Sequence, residues 1–109
     1  MEQDKTLSLI KRIVREACEE HGLTLNRVLL FGSRARGEHD NRSDYDLMVI
    51  VNGLPRESDR PKITTAINRK LALQKIPADI LVKSIKEFEL GRGRIGSITR
   101  EVNREGKRL

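Results

Sequence analysis

The sequence predicts an α/β (α+β) fold, with a small mixed β-sheet of about three strands flanked by helices. Three short apolar runs bounded by turn residues predict the strands, at residues 27–31, 46–51 and 78–82. Segments with apolar residues at helical spacing flank and separate them, in the order α-β-(short α)-β-α-β-α-α. The length of 109 residues fits one core, so residues 1–109 are expected to form a single domain.

Amphipathic patterns predict the two longest helices. The first runs from about residue 4 to residue 21, and Gly22 follows at the position where helices commonly end on a left-handed glycine. The second runs from near Pro61 to about residue 74. The apolar residues that share a face of these helices are Leu7, Ile10, Val14, Ala17, Ile63, Ile67 and Leu71.

Two turn segments follow the first two strands. Residues 32–37 read GSRARG, in which Ser33 is expected to cap a single helical turn and Gly37 to close it. Residues 52–55 read NGLP, which is typical of a turn.

The last third of the chain is predicted to be helical after the third strand. Ser84 and Glu87 have the capping-box spacing that opens a short helix. Gly91 and Gly93 are expected to interrupt the chain before a final helix. The apolar stripe expected on that final helix is Ile95, Ile98, Val102 and Leu109.

Composition excludes several classes of protein. Hydrophobic residues make up 37% and only three residues are aromatic, which predicts a modest aliphatic core. No apolar run approaches the roughly 18 residues of a membrane span, so no membrane association is expected. The chain has no N-terminal apolar segment of the secretory type, and its single cysteine, Cys18, allows no internal disulfide. These observations predict a cytoplasmic protein.

The net charge is +6, and the excess of basic residues lies in the C-terminal half. A basic surface can attract nucleic acid, a nucleotide or an acidic protein, or can serve solubility alone. Binding of nucleic acid by stacking would need aromatic residues among the basic ones. They are nearly absent there, so a nucleotide or a protein is the favoured partner over nucleic acid.

Two familiar phosphate-binding patterns fail on inspection. Residues 32–38 read GSRARGE, but a P-loop needs lysine where Glu38 stands, and a carboxylate there would repel phosphate. Residues 91–96 match G-x-G-x-x-G but follow a predicted helix, whereas a dinucleotide fold places this pattern after a strand.

The residues that carry chemistry are three acids at predicted strand ends. Asp44 and Asp46 are two positions apart, so on an extended backbone both side chains point to one face. Two carboxylates at such spacing repel unless a cation lies between them, and hard oxygen ligands suit Mg²⁺. Two ions about 3.5–4 Å apart can hold the attacking and leaving oxygens of a phosphoryl displacement. Asp79 lies at the head of the third predicted strand.

The connections predict that these acids converge. The short link between strands one and two is compatible with an antiparallel pair, which brings Gly32 and Ser33 beside Asp44. Strands two and three are joined by a helical crossover of the kind that parallel neighbours require, and a parallel pair places Asp79 at the same edge. Each residue alone has an ordinary role as a turn, a cap or a surface acid, and the combination favours a site.

The pattern of Gly32 and Ser33, ten residues, then Asp44-Tyr45-Asp46 resembles the minimal nucleotidyltransferases (MNT proteins) of the DNA polymerase β-like superfamily. Their signature is G-S-x₁₀-D-x-D with a third acid on a later strand, matched here by Asp79. The resemblance covers essentially the whole chain, and residues 98–107 are also similar to the end of these proteins. It implies a polymerase β-like nucleotidyltransferase core.

The resemblance implies an enzyme that transfers a nucleotidyl group, usually AMP from ATP, and releases pyrophosphate. Asp44 and Asp46 would bind two Mg²⁺ ions, and Asp79 would complete the site of the ion that activates the attacking hydroxyl. Gly32 and Ser33 would hold the triphosphate of ATP.

The resemblance also implies roles for the two arginines of residues 32–37 and a class of acceptor. Arg34 or Arg36 would neutralise phosphate charge, with at least one of them an ordinary surface residue. Small MNT proteins commonly pair with HEPN toxins, and some adenylylate a toxin tyrosine, so the leading expectation is a protein adenylyltransferase antitoxin. The alternatives are an antitoxin that acts by binding alone and a nucleotidyltransferase for small molecules such as aminoglycosides.

Overall fold

The computed structural model describes residues 2–38, 43–53 and 56–109, so Leu54 and Pro55 of the predicted turn lie outside it. The elements in chain order are α1 (Glu2–Glu20), β1 (Thr24–Phe31), α2 (Gly32–Arg36), β2 (Tyr45–Asn52), α3 (Asp59–Leu73), β3 (Ala78–Ser84), α4 (Ile85–Arg92), α5 (Ile98–Glu105) and β4 (Lys107–Arg108). They confirm the α/β fold with a small mixed sheet flanked by helices. Within the described residues, no helix combines the length and apolar composition needed to cross a lipid bilayer.

The sheet has the strand order β3-β2-β1-β4. β1 pairs antiparallel with β2, and β2 pairs parallel with β3, as the connection lengths predicted. The short strand β4 adds antiparallel to the other edge of β1 and was not predicted, because two residues are too few to show an alternating pattern.

Helices cover both faces of the sheet, and the side chains of β2 point alternately to one face and the other. Leu47, Val49 and Val51 of β2 join the cluster formed with α1 and α3 on one face. Met48 and Ile50 face the other side, where they pack with residues of α4 and α5. Since β2 is covered on both faces and paired on both edges, it is the most enclosed element of the described fold.

Local signals at helix ends are confirmed where glycine or a cap sets the geometry. Gly22 follows α1 with φ of +72°, in the left-handed region. At the start of α4, the Ser84 hydroxyl accepts the Glu87 N–H at 3.1 Å, and the Glu87 carboxylate accepts the Ser84 N–H at 2.9 Å. This reciprocal capping box ends β3 and begins α4 at adjacent residues.

The final helix differs from its prediction. The prediction that Gly91 interrupts the chain was wrong, because Gly91 lies inside α4. A Cβ at this position would come within 2.8 Å of Thr99 Cβ. Glycine at this position lets α4 and α5 pack closely. The predicted stripe was wrong for Ile95, which precedes α5 and is 90% exposed, and for Leu109, which follows β4 and packs on the cluster beneath α1. Val102 is buried as predicted.

Candidate active site

The predicted acids lie at one edge of the sheet, where β1 ends and β2 and β3 begin. In the antiparallel pair, Asp46 lies opposite Phe31, the last residue of β1, and so next to Gly32. In the parallel pair, Asp46 lies opposite Asp79. The sheet therefore brings together three segments that are far apart along the chain.

The alternation of each strand places two of the acids on the same face. Asp46 follows the side of β2 that carries Met48, and Asp79 follows the side of β3 that carries Leu81. Both of those apolar residues belong to the cluster beneath α4 and α5. The carboxylates of Asp46 and Asp79 therefore share the face of the sheet that these two helices cover.

Asp44 lies just before β2 and is exposed, as is Asp79, while Asp46 is half-buried. Partial burial is the largest cause that raises the pKa of Asp46, and the negative charges of Asp79 and Asp44 raise it further. The positive charge of Arg36 lowers the same pKa and only partly offsets them. Asp46 is thus the centre of a repulsive group of carboxylates.

The acids share an edge without forming a closed cage. In the part of the chain that the structure describes, no three acidic, histidine or cysteine side chains are arranged closely enough to enclose a metal ion. The register nevertheless fixes the backbone of Asp46 between Phe31, which precedes Gly32, and Asp79. The freedom that remains is in the exposed side chains of Asp44 and Asp79.

Gly32 is required at its position by the carboxylate of Asp46. Its φ is +72°, and a Cβ built on it would overlap Oδ2 of Asp46 and lie 3.1 Å from its Cγ. A side chain at this position would therefore have to displace the carboxylate. The sequence indicated that glycine would permit close approach of a phosphate, and the structure gives it a further reason.

The prediction that Ser33 caps the helical turn is wrong. Phe31 occupies the N-cap position of α2 with no side-chain capping hydrogen bond, and Ser33 lies within the helix. The extended chain of β1 continues directly into α2 at Gly32, which leaves no room for a separate cap. Gly37 closes the turn as predicted, with φ of +75° and its N–H donated to the Ser33 carbonyl.

The two arginines of the segment have different environments. Arg34 is 9% exposed, and its guanidinium carbon lies 3.9 Å from the centre of the Tyr45 ring. Arg36 is exposed and forms an ion pair of 3.2 Å with Glu38. Of the two, Arg36 is therefore the one placed to meet a ligand at the edge, and the engagement of Arg34 had no signal in the sequence.

A cavity of about 160 Å³ opens beside Gly32, between the end of β1 and α5. It is lined by Phe31, Gly32, Arg36, Ile98, Glu101, Val102 and Glu105. Sequence reasoning missed this space because it depends on how α5 packs, which no local pattern predicts. Its position makes it a continuation of the acid-bearing edge.

Comparison with known proteins agrees with the geometry. A family described as "Nucleotidyltransferase domain" matches residues 10–105, which include all five predicted site residues. A solved structure described as "Crystal structure of the toxin-antitoxin with AMP-PNP" is similar in fold, with a TM-score of 0.55 and 16% identity over 89% of this chain and 69% of that chain.

Two relatives come from Methanocaldococcus jannaschii. The chain is 38% identical over 61 residues to "Putative protein adenylyltransferase MJ0141", covering 56% of this chain and 58% of that protein. It is 34% identical over 64 residues to "Putative protein adenylyltransferase MJ1305", covering 58% of this chain and 44% of that one. The match thus spans less than two thirds of either relative. The family match covers most of the chain and confirms the resemblance drawn from the motif, so this protein belongs to the nucleotidyltransferase domain family.

Proposed function

We propose that this protein is a Mg²⁺-dependent protein adenylyltransferase of the cytoplasm. It transfers AMP from ATP to a hydroxyl group, in our proposal a tyrosine, of a partner HEPN toxin and so acts as the antitoxin. The observation that carries the proposal is the position of Asp46, whose carboxylate lies against Gly32 and whose backbone lies opposite Asp79 in the strand register.

The donor set fits Mg²⁺. Carboxylate oxygens are hard ligands of the kind this ion prefers. Burial and, after it, the negative charges of Asp79 and Asp44 raise the pKa of Asp46, and bound cations would relieve the repulsion between these carboxylates. Asp44, Asp46 and Asp79 are the residues that would hold two ions, which when bound supply electrostatic stabilisation of the phosphoryl oxygens and activation of the acceptor hydroxyl.

The remaining residues would hold and orient the nucleotide. Gly32 keeps the backbone of the turn free of a side chain on the side of Asp46, and Ser33 follows it. Arg36 brings a positive charge to the same edge, where a triphosphate would balance it. In the reaction, the acceptor oxygen forms a bond to the α-phosphorus, the bond to pyrophosphate breaks, and the hydroxyl proton is lost to water at this exposed edge.

The proposed acceptor is a protein for three reasons. Both archaeal relatives are named as protein adenylyltransferases. The structure with a similar fold is that of a toxin–antitoxin pair. The net charge of +6 favours an acidic partner surface.

The test is transfer of radiolabel from α-labelled ATP to a co-purified toxin, with and without Mg²⁺. We expect labelling of the toxin by the wild type, and a fall of at least about 100-fold in the D44N/D46N double variant or in Asp79→Asn. Asp59→Asn is the matched control, since Asp59 lies at the start of α3, after the opposite end of β2. Its labelling rate should equal that of the wild type.

Other outcomes would identify the alternative functions. If the double variant still neutralises the toxin as well as the wild type, the protein acts by binding alone. If pyrophosphate is released with an aminoglycoside and ATP but no protein is labelled, the acceptor is a small molecule. Wild-type protein that labels no co-purified partner contradicts the proposal.

A further inference from the structure

Arg34 links α2 to the residues on both sides of Asp44. Its Nε donates a hydrogen bond of 2.8 Å to the carbonyl of Ser43, and its guanidinium carbon lies 3.9 Å from the centre of the Tyr45 ring. The residue before Asp44 and the residue after it are therefore both held by one buried side chain, which projects from the turn that begins with Gly32.

Tyr45 extends this connection to the third strand. It separates Asp44 from Asp46 in sequence, and its side chain packs in the cluster beneath α1, on the opposite face of the sheet from Asp46. Its backbone N–H donates a hydrogen bond of 2.9 Å to the carbonyl of Pro77, two residues before Asp79. The link from α2 thus reaches all the segments that carry the predicted acids.

We infer that Arg34 is a positioning residue, which fixes the distance between the Gly32–Ser33 turn and the carboxylates of Asp44 and Asp46. The inference rests on the proposed function and concerns a residue that does not itself touch the substrate. The Arg34 side chain is buried and makes both contacts inside the protein, whereas Arg36 on the same turn is exposed.

Arginine suits this role better than lysine. A planar guanidinium can stack on an aromatic ring and donate a directed hydrogen bond from its edge at the same time. The ammonium of lysine keeps the charge but lacks the planar fork. Arg34→Lys therefore separates the positioning role from a role of charge alone.

The chain offers a matched control on the same strand system. Arg27 is half-buried in β1, its guanidinium carbon lies 5.3 Å from the centre of the Phe88 ring, and its Nε donates to Asn26 at 2.8 Å. Arg27→Lys removes the same kind of stacked, hydrogen-bonded arginine. Because Arg27 lies within the strand and not on the turn, this variant should leave the acid-bearing edge in place.

The experiment measures both variants without and with substrate. In amide NMR spectra of the protein without added metal, Arg34→Lys should shift the signals of Gly32, Asp44 and Asp46, while Arg27→Lys should shift those near Phe88. In the transfer assay, Arg34→Lys should lower kcat by about 10-fold or more, since small displacements of reacting groups have effects of this order. Its KM for ATP should stay within about threefold, and Arg27→Lys should change neither constant by more than that.

Tyr45→Leu gives a second route if Arg34→Lys does not fold. It keeps an apolar side chain and the N–H to Pro77 but removes the ring under Arg34, and we expect the same NMR shifts and a smaller loss of kcat. Wild-type signals at Gly32 and Asp44 in a folded variant would overturn the inference. So would a loss of kcat that matches the unfolded fraction measured by circular dichroism. A wild type without transferase activity would contradict the proposed function, while the NMR comparison would still decide the role of Arg34.

Discussion

Gly32 and Asp46 are in direct contact across the end of the β1–β2 pair, and the missing side chain of the first makes room for the carboxylate of the second. This relationship joins two parts of a sequence signature that local patterns treat separately. Glycine is therefore needed at position 32 both for the left-handed backbone of the turn and for the space that the Asp46 carboxylate occupies.

Gly32→Ala should lose both stability and activity. The left-handed φ of +72° costs a side chain about 1 kcal/mol, and the overlap with Asp46 adds to it. We expect a loss of at least about 2 kcal/mol in urea unfolding and a fall of about 100-fold in transfer rate. Gly22→Ala is the control, because Gly22 has the same φ and no described atom lies within 4 Å of its Cβ position. If both variants lose activity equally, strain rather than contact explains the glycine.

Asp46→Asn should stabilise the protein without divalent ions. Burial and the charges of Asp79 and Asp44 raise the pKa of Asp46, so the folded state binds its proton more tightly than the unfolded chain does. This contribution is present at low pH and is lost as the pH rises through the raised pKa. We therefore expect Asp46→Asn to have a higher Tm than the wild type at pH 7, with the difference shrinking towards pH 4.

Asp59→Asn is the control for this prediction, because its expected change in Tm has the opposite sign. Asp59 is the acid in the first turn of α3, where a negative charge favours the helix. Its removal should lower Tm at pH 7. A lower Tm for Asp46→Asn as well would show that its hydrogen-bonding or packing outweighs the repulsion.

Gly91→Ala should destabilise the packing of α4 on α5. Its new Cβ would lie 2.8 Å from Thr99 Cβ, which is closer than packed carbon atoms approach. We expect a loss of about 1–3 kcal/mol in the free energy of unfolding. Gly93→Ala introduces the same atom, whose nearest neighbour would be the Leu90 carbonyl oxygen at 3.8 Å, and should cost less. Equal losses would mean that the helix pair adjusts freely.

Cys18 should be almost inert to thiol reagents in the folded protein. It is fully buried, and burial, with a smaller contribution from the charge of Glu19, raises its pKa to about 11. Both the low thiolate fraction at pH 8 and the lack of access oppose reaction. We expect its reaction with Ellman's reagent to be at least about 100-fold slower than in guanidinium. Rapid reaction would show that α1 separates readily from the sheet.

The strands and the convergence of the acids could be predicted because they depend on patterns that can be read directly in the sequence, namely apolar runs and the lengths of the connections between them. Apolar runs predicted β1, β2 and β3, and the lengths of the connections were compatible with the antiparallel and parallel pairs that the structure shows. With these directions, the starts of β2 and β3 lie at one edge of the sheet, and they carry Asp46 and Asp79. Their register directly opposite each other is a finding of the structure, because the length of a connection does not fix the register of two strands.

The errors concern features decided by packing between distant segments. Ile95 has the spacing of a helix stripe, yet the chain turns before α5 and leaves it exposed. Glycine is a residue type that interrupts helices, yet Gly91 lies within α4, and the close approach of Thr99 explains why glycine stands there. The prediction that Ser33 caps α2 was wrong for a similar reason. β1 continues directly into the helix, and Ser33 lies within it. The stacking of Arg34 on Tyr45 has no periodic signal at all.

The enclosure of β2 gives a way to watch folding and the acid-bearing edge in one measurement. Residues 47–51 are completely buried and hydrogen-bonded to a neighbour on each side, so their amide protons should exchange with deuterium only when the whole molecule opens. Deuterium uptake on this strand then reports global stability, while uptake at Asp44 reports the local freedom of the strand's entrance. A substitution that disturbs the second without the first acts on the geometry of the edge and leaves the fold intact.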